Sequence, residues 1–387
     1  MKITDIELIP LSVKQLNPDD CDGQYNDFVV RVHADTGHTG IGEADTPPEV
    51  SVAFMRSPSE HIWAQNLIGQ LLGRDPLEAE ALWERMYNGA IYHTRRGLGV
   101  NIMSAVDNAL YDAAGKALGV PVYKLLGGAK REEITPYCSI LPGTPQGRTW
   151  TQLQDATYAA LARALEKGYH AFKIQALFYE ACTDRELAEM THRCREIIGD
   201  SRDLMIDVGY RWRHANDAIR AVRLMERDRL FFLETPIHTD NIDGYAALAA
   251  AVDTPIAMGE YLSNRFEFLE YMARDGVDVV QPDIGRAGGL TECRRIAQYA
   301  RDRGLVVVPH GWKTAIAVAG LIHYSASLDN CPYIEFPDRD LVTAPILRNE
   351  LAGPEPELKD GRFALPTVPG IGVELNEATV EQYRLRP

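Results

Sequence analysis

Five short apolar runs between Leu204 and His310 each end in a side chain that can ionise. Leu204-Met205-Ile206 leads into Asp207, Leu230-Phe231-Phe232-Leu233 into Glu234, and Pro255-Ile256-Ala257-Met258-Gly259 into Glu260. Val279-Val280-Gln281-Pro282 leads into Asp283, and Leu305-Val306-Val307-Val308-Pro309 into His310. The intervals of 27, 26, 23 and 27 residues match what one strand, one helix and two loops consume in a repeating βα unit. Apolar runs of strand length, each with an ionisable residue at its C-terminal end, point to buried parallel strands that deliver those residues to one rim. Three acids converging without basic partners repel one another, so the pattern also asks for a cation among them.

The rhythm extends on both sides of this stretch. Strands are expected at Ile134 to Ile140, Tyr169 to Gln175, Leu204 to Asp207, Leu230 to Glu234, Thr254 to Glu260, Asp278 to Asp283, Leu305 to His310 and Tyr333 to Phe336. Amphipathic helices fall between them, among them Leu153 to Glu166, Ala215 to Arg227, Arg265 to Arg274, Leu290 to Arg303 and Ala315 to Ser327. Eight strands with seven helices predict an α/β fold, a closed (β/α)7β TIM-type barrel over residues 131–345. A doubly wound open sheet would place a Gly-rich turn after its first strand, and none follows Ile140. Gly285, Gly288 and Gly289 cluster after Asp283 and read as a tight turn.

Residues 1–130 read as an α+β capping domain. Strands are expected at Lys2 to Val13, Phe28 to Ala34 and Thr39 to Glu43, then helices at Glu60 to Leu72, Pro76 to Met86 and Ile102 to Leu118, the last stopped by Gly119 and Pro121. Two polar loops, Lys14 to Asn26 and Asp45 to Pro58, read equally as solvated connections or as lids. Residues 346–387 lose the alternation and are expected to pack back on the capping domain.

Composition excludes several partners. A formal charge of −15 over 387 residues, with no basic patch, argues against a nucleic-acid or anionic-membrane surface. No apolar run is long enough to span a bilayer, and the opening residues alternate like a strand rather than forming a signal peptide. The six cysteines are scattered without a C-x-x-C pair, which fits a reducing cytoplasm and argues against a thiolate metal site.

Asp207, Glu234 and Glu260, as oxygen-only donors on separate strands, suit Mg²⁺; zinc would expect a histidine or cysteine among them. Asp283 and His310 occupy corresponding places on consecutive units. A carboxylate bonded to the imidazole fixes its tautomer and raises its basicity, so His310 is the candidate general base and Asp283 its orienting partner. Lys173 and Gln175 share one face of the second strand, and Glu335 lies on the last. Charge in a barrel mouth is costly unless paired or used, which favours a functional role for Lys173 and Glu335.

These residues, the helix SAVDNALYDAAGKALG and the capping domain together resemble the enolase superfamily, mandelate racemase subgroup, across nearly the whole chain. The pieces QPDIGRAGGLTE and VVVPHG resemble the acid-sugar dehydratases, L-rhamnonate dehydratase among them. The resemblance implies that a sugar-acid carboxylate chelates Mg²⁺ on Asp207, Glu234 and Glu260 while His310 removes the α-proton. Lys173 and Glu335 would contact that carboxylate, Glu335 as a protonated donor, and loss of the 3-hydroxyl would give a 2-keto-3-deoxy acid. Many relatives carry Lys-x-Lys on the second strand, and Gln175 stands in the second place here. One base favours dehydration over 1,1-proton transfer; the rival readings are a lactone cycloisomerase, an epimerase or racemase, or a barrel that has lost catalysis. Tyr210 and Trp212 after Asp207, Tyr25 in the first loop, and His93 and Arg96 in the capping domain are the remaining candidate substrate contacts. The resemblance also implies a homo-oligomer.

Overall fold

Alternation near the N-terminus folds as it reads. In the computed structural model, which describes residues 1–13, 26–341 and 346–386, strands Ile3–Ser12, Asn26–Ala34 and Thr39–Ala44 form an antiparallel meander. The third strand lies directly on the helix Leu98–Leu118. A Cβ at Gly40 would fall 2.1 Å from the Ala109 carbonyl oxygen, and one at Gly42 2.2 Å from that of Ala105. Only glycine permits backbone to meet backbone there. The helix is buried on almost every side because the sheet covers one flank and the barrel the other.

Two helical expectations and one loop expectation in this region change. Only Leu67–Leu71 of the stretch Glu60 to Leu72 is helical, because the Asn66 side chain accepts from the Gly69 N–H and starts the helix there. Pro76–Glu78 forms a single 3₁₀ turn before the helix Ala79–Gly89. The expected loop Asp45 to Pro58 holds a helix, Pro48–Arg56. Its Thr46-Pro47-Pro48 opening reads as loop, yet proline at the first helical position has the right φ and needs no N–H partner.

Among its described residues the second unit contains eight parallel strands: Pro136–Ile140, Ala171–Gln175, Asp203–Asp207, Phe232–Glu234, Ile256–Met258, Val279–Val280, Val306–Val307 and Ile334–Phe336. All pair in parallel, the eighth joining the first, and seven helices alternate with them. Among the described residues the ladder is not continued between the seventh and eighth strands. That seam is bridged by the Val307 N–H on the Asn330 carbonyl (2.9 Å) and the Gly311 N–H on Glu335 Oε2 (3.0 Å). The later strands are shorter than expected because Pro282 and Pro309 bring no N–H to a ladder, and Gly259 turns the chain at φ +137°.

Inside the barrel, Tyr137, Ala171, Met205, Phe232, Ala257, Val279 and Val308 form a separate apolar plug, one from each of the first seven strands or the residue just past it. The rim faces the capping domain. The helix Leu98–Leu118 uses one face on the loop after Asp283: Ser104 accepts from the Gly288 N–H, Asp107 from the Thr291 N–H, and Asn108 from the Leu290 N–H. Glu43, at the end of the cap sheet, takes the Thr314 and Ala317 N–H groups (3.2 and 2.8 Å) and the Thr314 hydroxyl (2.7 Å), capping the helix Ala315–Ala326. The C-terminal segment touches both units. Leu385 N–H donates to the Pro10 carbonyl and Ile371 N–H to Asp112, while Phe363 pairs with Ile134 beside the barrel. No helix of the described residues is long and apolar enough to cross a membrane.

His323, on the helix Ala315–Ala326, is fully buried where barrel, cap and C-terminal segment meet. Its Nδ1 accepts from the Tyr123 N–H (3.2 Å), which leaves Nε2–H to donate to the Ile371 carbonyl (3.1 Å). Burial pushes its pKa down from 6.5 to about 4, against the opposing pull of the Ile371 carbonyl. The unfolded chain therefore binds the extra proton between these values, and roughly 3 kcal/mol of stability present above pH 6.5 is lost as pH falls toward 4. Asp107, pushed up to about 7 by burial, works in the opposite sense. The difference in urea-unfolding free energy between wild type and His323→Gln should shrink across that window; a pH-independent difference would assign His323 no such linkage.

Candidate active site

The barrel alternation builds the site directly on the plug. Two residues beyond Ala171, Met205, Phe232, Val279 and Val308 come Lys173, Asp207, Glu234, Gln281 and His310, and Glu335 follows Tyr333 in the same way. Side chains two apart along a strand share a face, so an apolar layer is capped by a charged one. Gln175, Asp207 and Glu234 are adjacent in the ladder register. Glu260 breaks the parity, three residues after Ala257. The positive φ of Gly259 turns it toward the rim, where a Cβ on residue 259 would strike Phe268 at 2.5 Å.

Lys173 is the hub of the deeper half. Its Nζ lies 2.9 Å from Glu234 Oε2 and 2.8 Å from Glu335 Oε1, all three side chains being out of solvent. Gln281 Nε2 donates to Glu234 Oε2 at 2.7 Å. Burial opposes the Lys173 charge, yet Glu234 and Glu335 hold its pKa well above the ordinary value. Burial would raise Glu335 too, but Lys173, His310 and the Gly311 N–H bring it down to about 2. Glu335 is thus held toward its ionised form by the Lys173 ammonium it faces. Lys173 and Glu335 lie beneath the cavity wall, engaged with each other.

The outer half opens into a cavity of about 490 Å³ lined by Asp207, Glu260, His310, Gln175 and Tyr210, with Asp45, Arg286 and Lys313 on another part of its wall. His310 Nδ1 meets Asp283 Oδ2 at 2.6 Å, and Nε2 lies 3.2 Å from Glu260 Oε2. The Gly285 N–H donates to the other Asp283 oxygen at 2.6 Å, fixing the carboxylate that fixes the ring. Burial works against the imidazolium, but Asp283, Glu260 and Glu335 raise His310 to about 9. Asp207 is pushed well above the carboxylate range, by burial first and then by Glu234 and Glu260. Three oxygen donors that destabilise one another's charge fit a hard divalent cation in donor type and in charge. Among the described residues no three His, Cys, Asp or Glu side chains stand as a ready cage. Glu234 faces Lys173, and Glu260 faces His310.

The remaining sequence-chosen residues divide. Gln175 lines the cavity and donates to Ser139 Oγ at 3.2 Å; Tyr210, at φ +58°, lines it beside Tyr261 and His238. Trp212 is buried outside the cavity with its indole N–H on Asp184 (3.1 Å), since its backbone runs on to bridge Ile237. Arg96 is tied to Glu267 at 3.2 Å, and His93 is exposed against the edge of Phe54; neither reaches the cavity. Tyr25 lies outside the described residues. Sequence reasoning missed Gln281, whose place two residues past Val279 was the available signal. It also missed Asp45, Arg286 and Lys313, the last only three residues beyond His310.

This arrangement, an acid-rich barrel mouth under an α+β cap, defines an enolase-type enzyme. Residues 157–379 match the family described as "Enolase C-terminal domain-like" and residues 23–127 the "Mandelate racemase / muconate lactonizing enzyme, N-terminal domain", and the chain belongs to this family. The chain is similar to D-galactonate dehydratase of Xanthomonas campestris pv. campestris, with 32% identity over 368 residues, 92% of this chain and 91% of the relative. It is also similar to D-galactarolactone cycloisomerase of Agrobacterium fabrum, 29% identical over 365 residues with 92% and 91% covered. The crystal structure of 3,6-anhydro-D-galactonate cycloisomerase from Zobellia galactanivorans aligns with a TM-score of 0.86 at 29% identity, covering 100% of both chains.

Removing the hub should be costly. Lys173→Met leaves Glu234 and Glu335 buried without their cation, an expected loss of about 3–5 kcal/mol in urea unfolding at pH 8 without added metal. A loss below about 1 kcal/mol would mean that the pair carries no more than an exposed ion pair.

Proposed function

We propose that this enzyme is a Mg²⁺-dependent acid-sugar dehydratase, a hydro-lyase that converts a polyhydroxy acid to its 2-keto-3-deoxy product. The observation that carries the reading is the contrast between two sides of one cavity. On the seventh strand His310 is oriented by Asp283 at 2.6 Å with Nε2 turned to the rim. On the second strand the cavity-facing residue is the neutral amide of Gln175. One base suffices for elimination, whereas inversion at the α-carbon by direct proton transfer calls for a second on the opposite face.

Asp207, Glu234 and Glu260 would hold Mg²⁺, which when bound supplies positive charge where the substrate carboxylate gains electron density. His310 Nε2 takes the α-proton, and Asp283 keeps Nδ1 protonated and stabilises the imidazolium that results. Glu260 is one of the groups that hold a proton on His310, so drawing Glu260 away frees the imidazole to act as base. The same imidazolium would return its proton to the departing 3-hydroxyl. Cycloisomerase relatives make ring opening or closing through the same α-proton abstraction the alternative product outcome.

The test is incubation of a sugar-acid library with Mg²⁺ in D₂O, followed by NMR and by semicarbazide detection of keto acid. Dehydration predicts a keto product deuterated at C3. Exchange of the α-proton without keto acid, or a lactone product, would overturn it. His310→Asn should lower turnover by roughly a thousandfold or more while Mg²⁺ binding by calorimetry stays unchanged; comparable activity would remove His310 from this role.

A further inference from the structure

The cavity carries a second polar cluster, on the capping-domain side, that the proton abstraction does not use. Asp45 enters from the end of the cap sheet, its backbone N–H bonded to the Gly285 carbonyl at 3.3 Å. Lys313 Nζ holds Asp45 Oδ1 at 3.1 Å, and Arg286 Nε donates to Oδ2 at 2.7 Å, with Nη2 on the same oxygen. Each carboxylate oxygen keeps further acceptor capacity. Asp45 and Arg286 are about equally exposed, at 20% and 21%, against 6% for Lys313, so a ligand meets the carboxylate together with a guanidinium already turned onto it, and the ammonium lies behind.

The cations are fully matched. Lys313 also reaches Asp27 at 3.8 Å and the Asn26 carbonyl at 3.3 Å. Burial raises both Asp27 and Glu43 in the interior, Glu43 further through Asp27. Arg286 is thus met by Asp45, and Lys313 stands between Asp45 and Asp27. The other basic group among the described lining residues is His310, at the reacting end. A hydroxyl can donate to such an acceptor, whereas a second carboxylate would meet a like charge whose neighbouring cations, among the described lining residues, are already engaged by carboxylates.

We propose that Asp45, pinned by Lys313 and Arg286, reads the far end of the substrate as a hydroxyl, so that the enzyme takes monocarboxylic aldonates and rejects the matching dicarboxylic aldarates. This rests on the sugar-acid reading above and narrows it to one substrate class.

Matched pairs that differ only at C6 test it: D-galactonate with D-galactarate, D-gluconate with D-glucarate, and the other hexonate and hexarate configurations. Titration calorimetry and turnover are both measured with Mg²⁺. In the best-bound configuration the aldonate should be favoured by roughly a hundredfold or more. Asp45→Asn should shrink that ratio at least tenfold by freeing the two cations, whereas Lys313→Met, which leaves Asp45 charged, should preserve or widen it. An aldarate bound as well as its aldonate by the wild type, or a ratio unmoved by Asp45→Asn, overturns the proposal. Selective binding without keto product would overturn dehydration and leave this assignment standing; no binding of either class would overturn both.

Discussion

Negative charge gathered in a place with little water is the constraint behind this architecture. Asp207, Glu234, Glu260, Asp283 and Glu335 meet at one barrel mouth, with Lys173 and His310 as their direct cationic partners. Such a group is tolerable only when each carboxylate has a cation or hydrogen-bond donor within reach. The apolar plug beneath excludes solvent, the parity of the strands aligns the charges, and the cap closes the remaining side. The same crowding that strains the resting protein is what gives an incoming divalent ion its hold.

Cap and barrel are joined by polar contacts as well as by apolar packing. Ser104, Asp107 and Asn108 stand at helical spacing on one stripe of a buried helix, and all three receive N–H groups from the loop and helix that follow Asp283. The loop that orients the imidazole's partner is thus held from outside the barrel. Trp83 adds its indole N–H to the Gly288 carbonyl at 2.8 Å. The orienting carboxylate owes its position to residues nearly two hundred places earlier in the chain.

Much of this was legible because it follows from period. Apolar runs ending in acids at a βα interval exposed the barrel and most of its charged rim, and alternation placed Lys173, Gln175 and Glu335 on inward faces. What sequence could not show was the pairing of side chains. Glu335 looks like a lone buried acid on its strand; only the fold brings the Lys173 ammonium beside it, at 2.8 Å. Trp212 follows Asp207 closely enough to look like a ligand contact, but the positive φ at Gly209 and Tyr210 turns the chain and sends it outward. Asp45 and Arg286 are 241 positions apart, and no local pattern signals such a pair. The helix Pro48–Arg56 was hidden by prolines whose usual meaning is a loop.

Glu43 closes the account of how the two units are joined. A side chain of the cap serves at the N-terminus of the barrel's last helix, the one that begins five residues after His310. The substrate-facing cover and the loop bearing the base therefore form one mechanical part, although they are encoded far apart. A chimaera that exchanged the first domain for a relative's would keep its geometry only if position 43 and residues 310–317 travelled together, so recombination within this fold has a natural reading frame that the domain boundary does not mark.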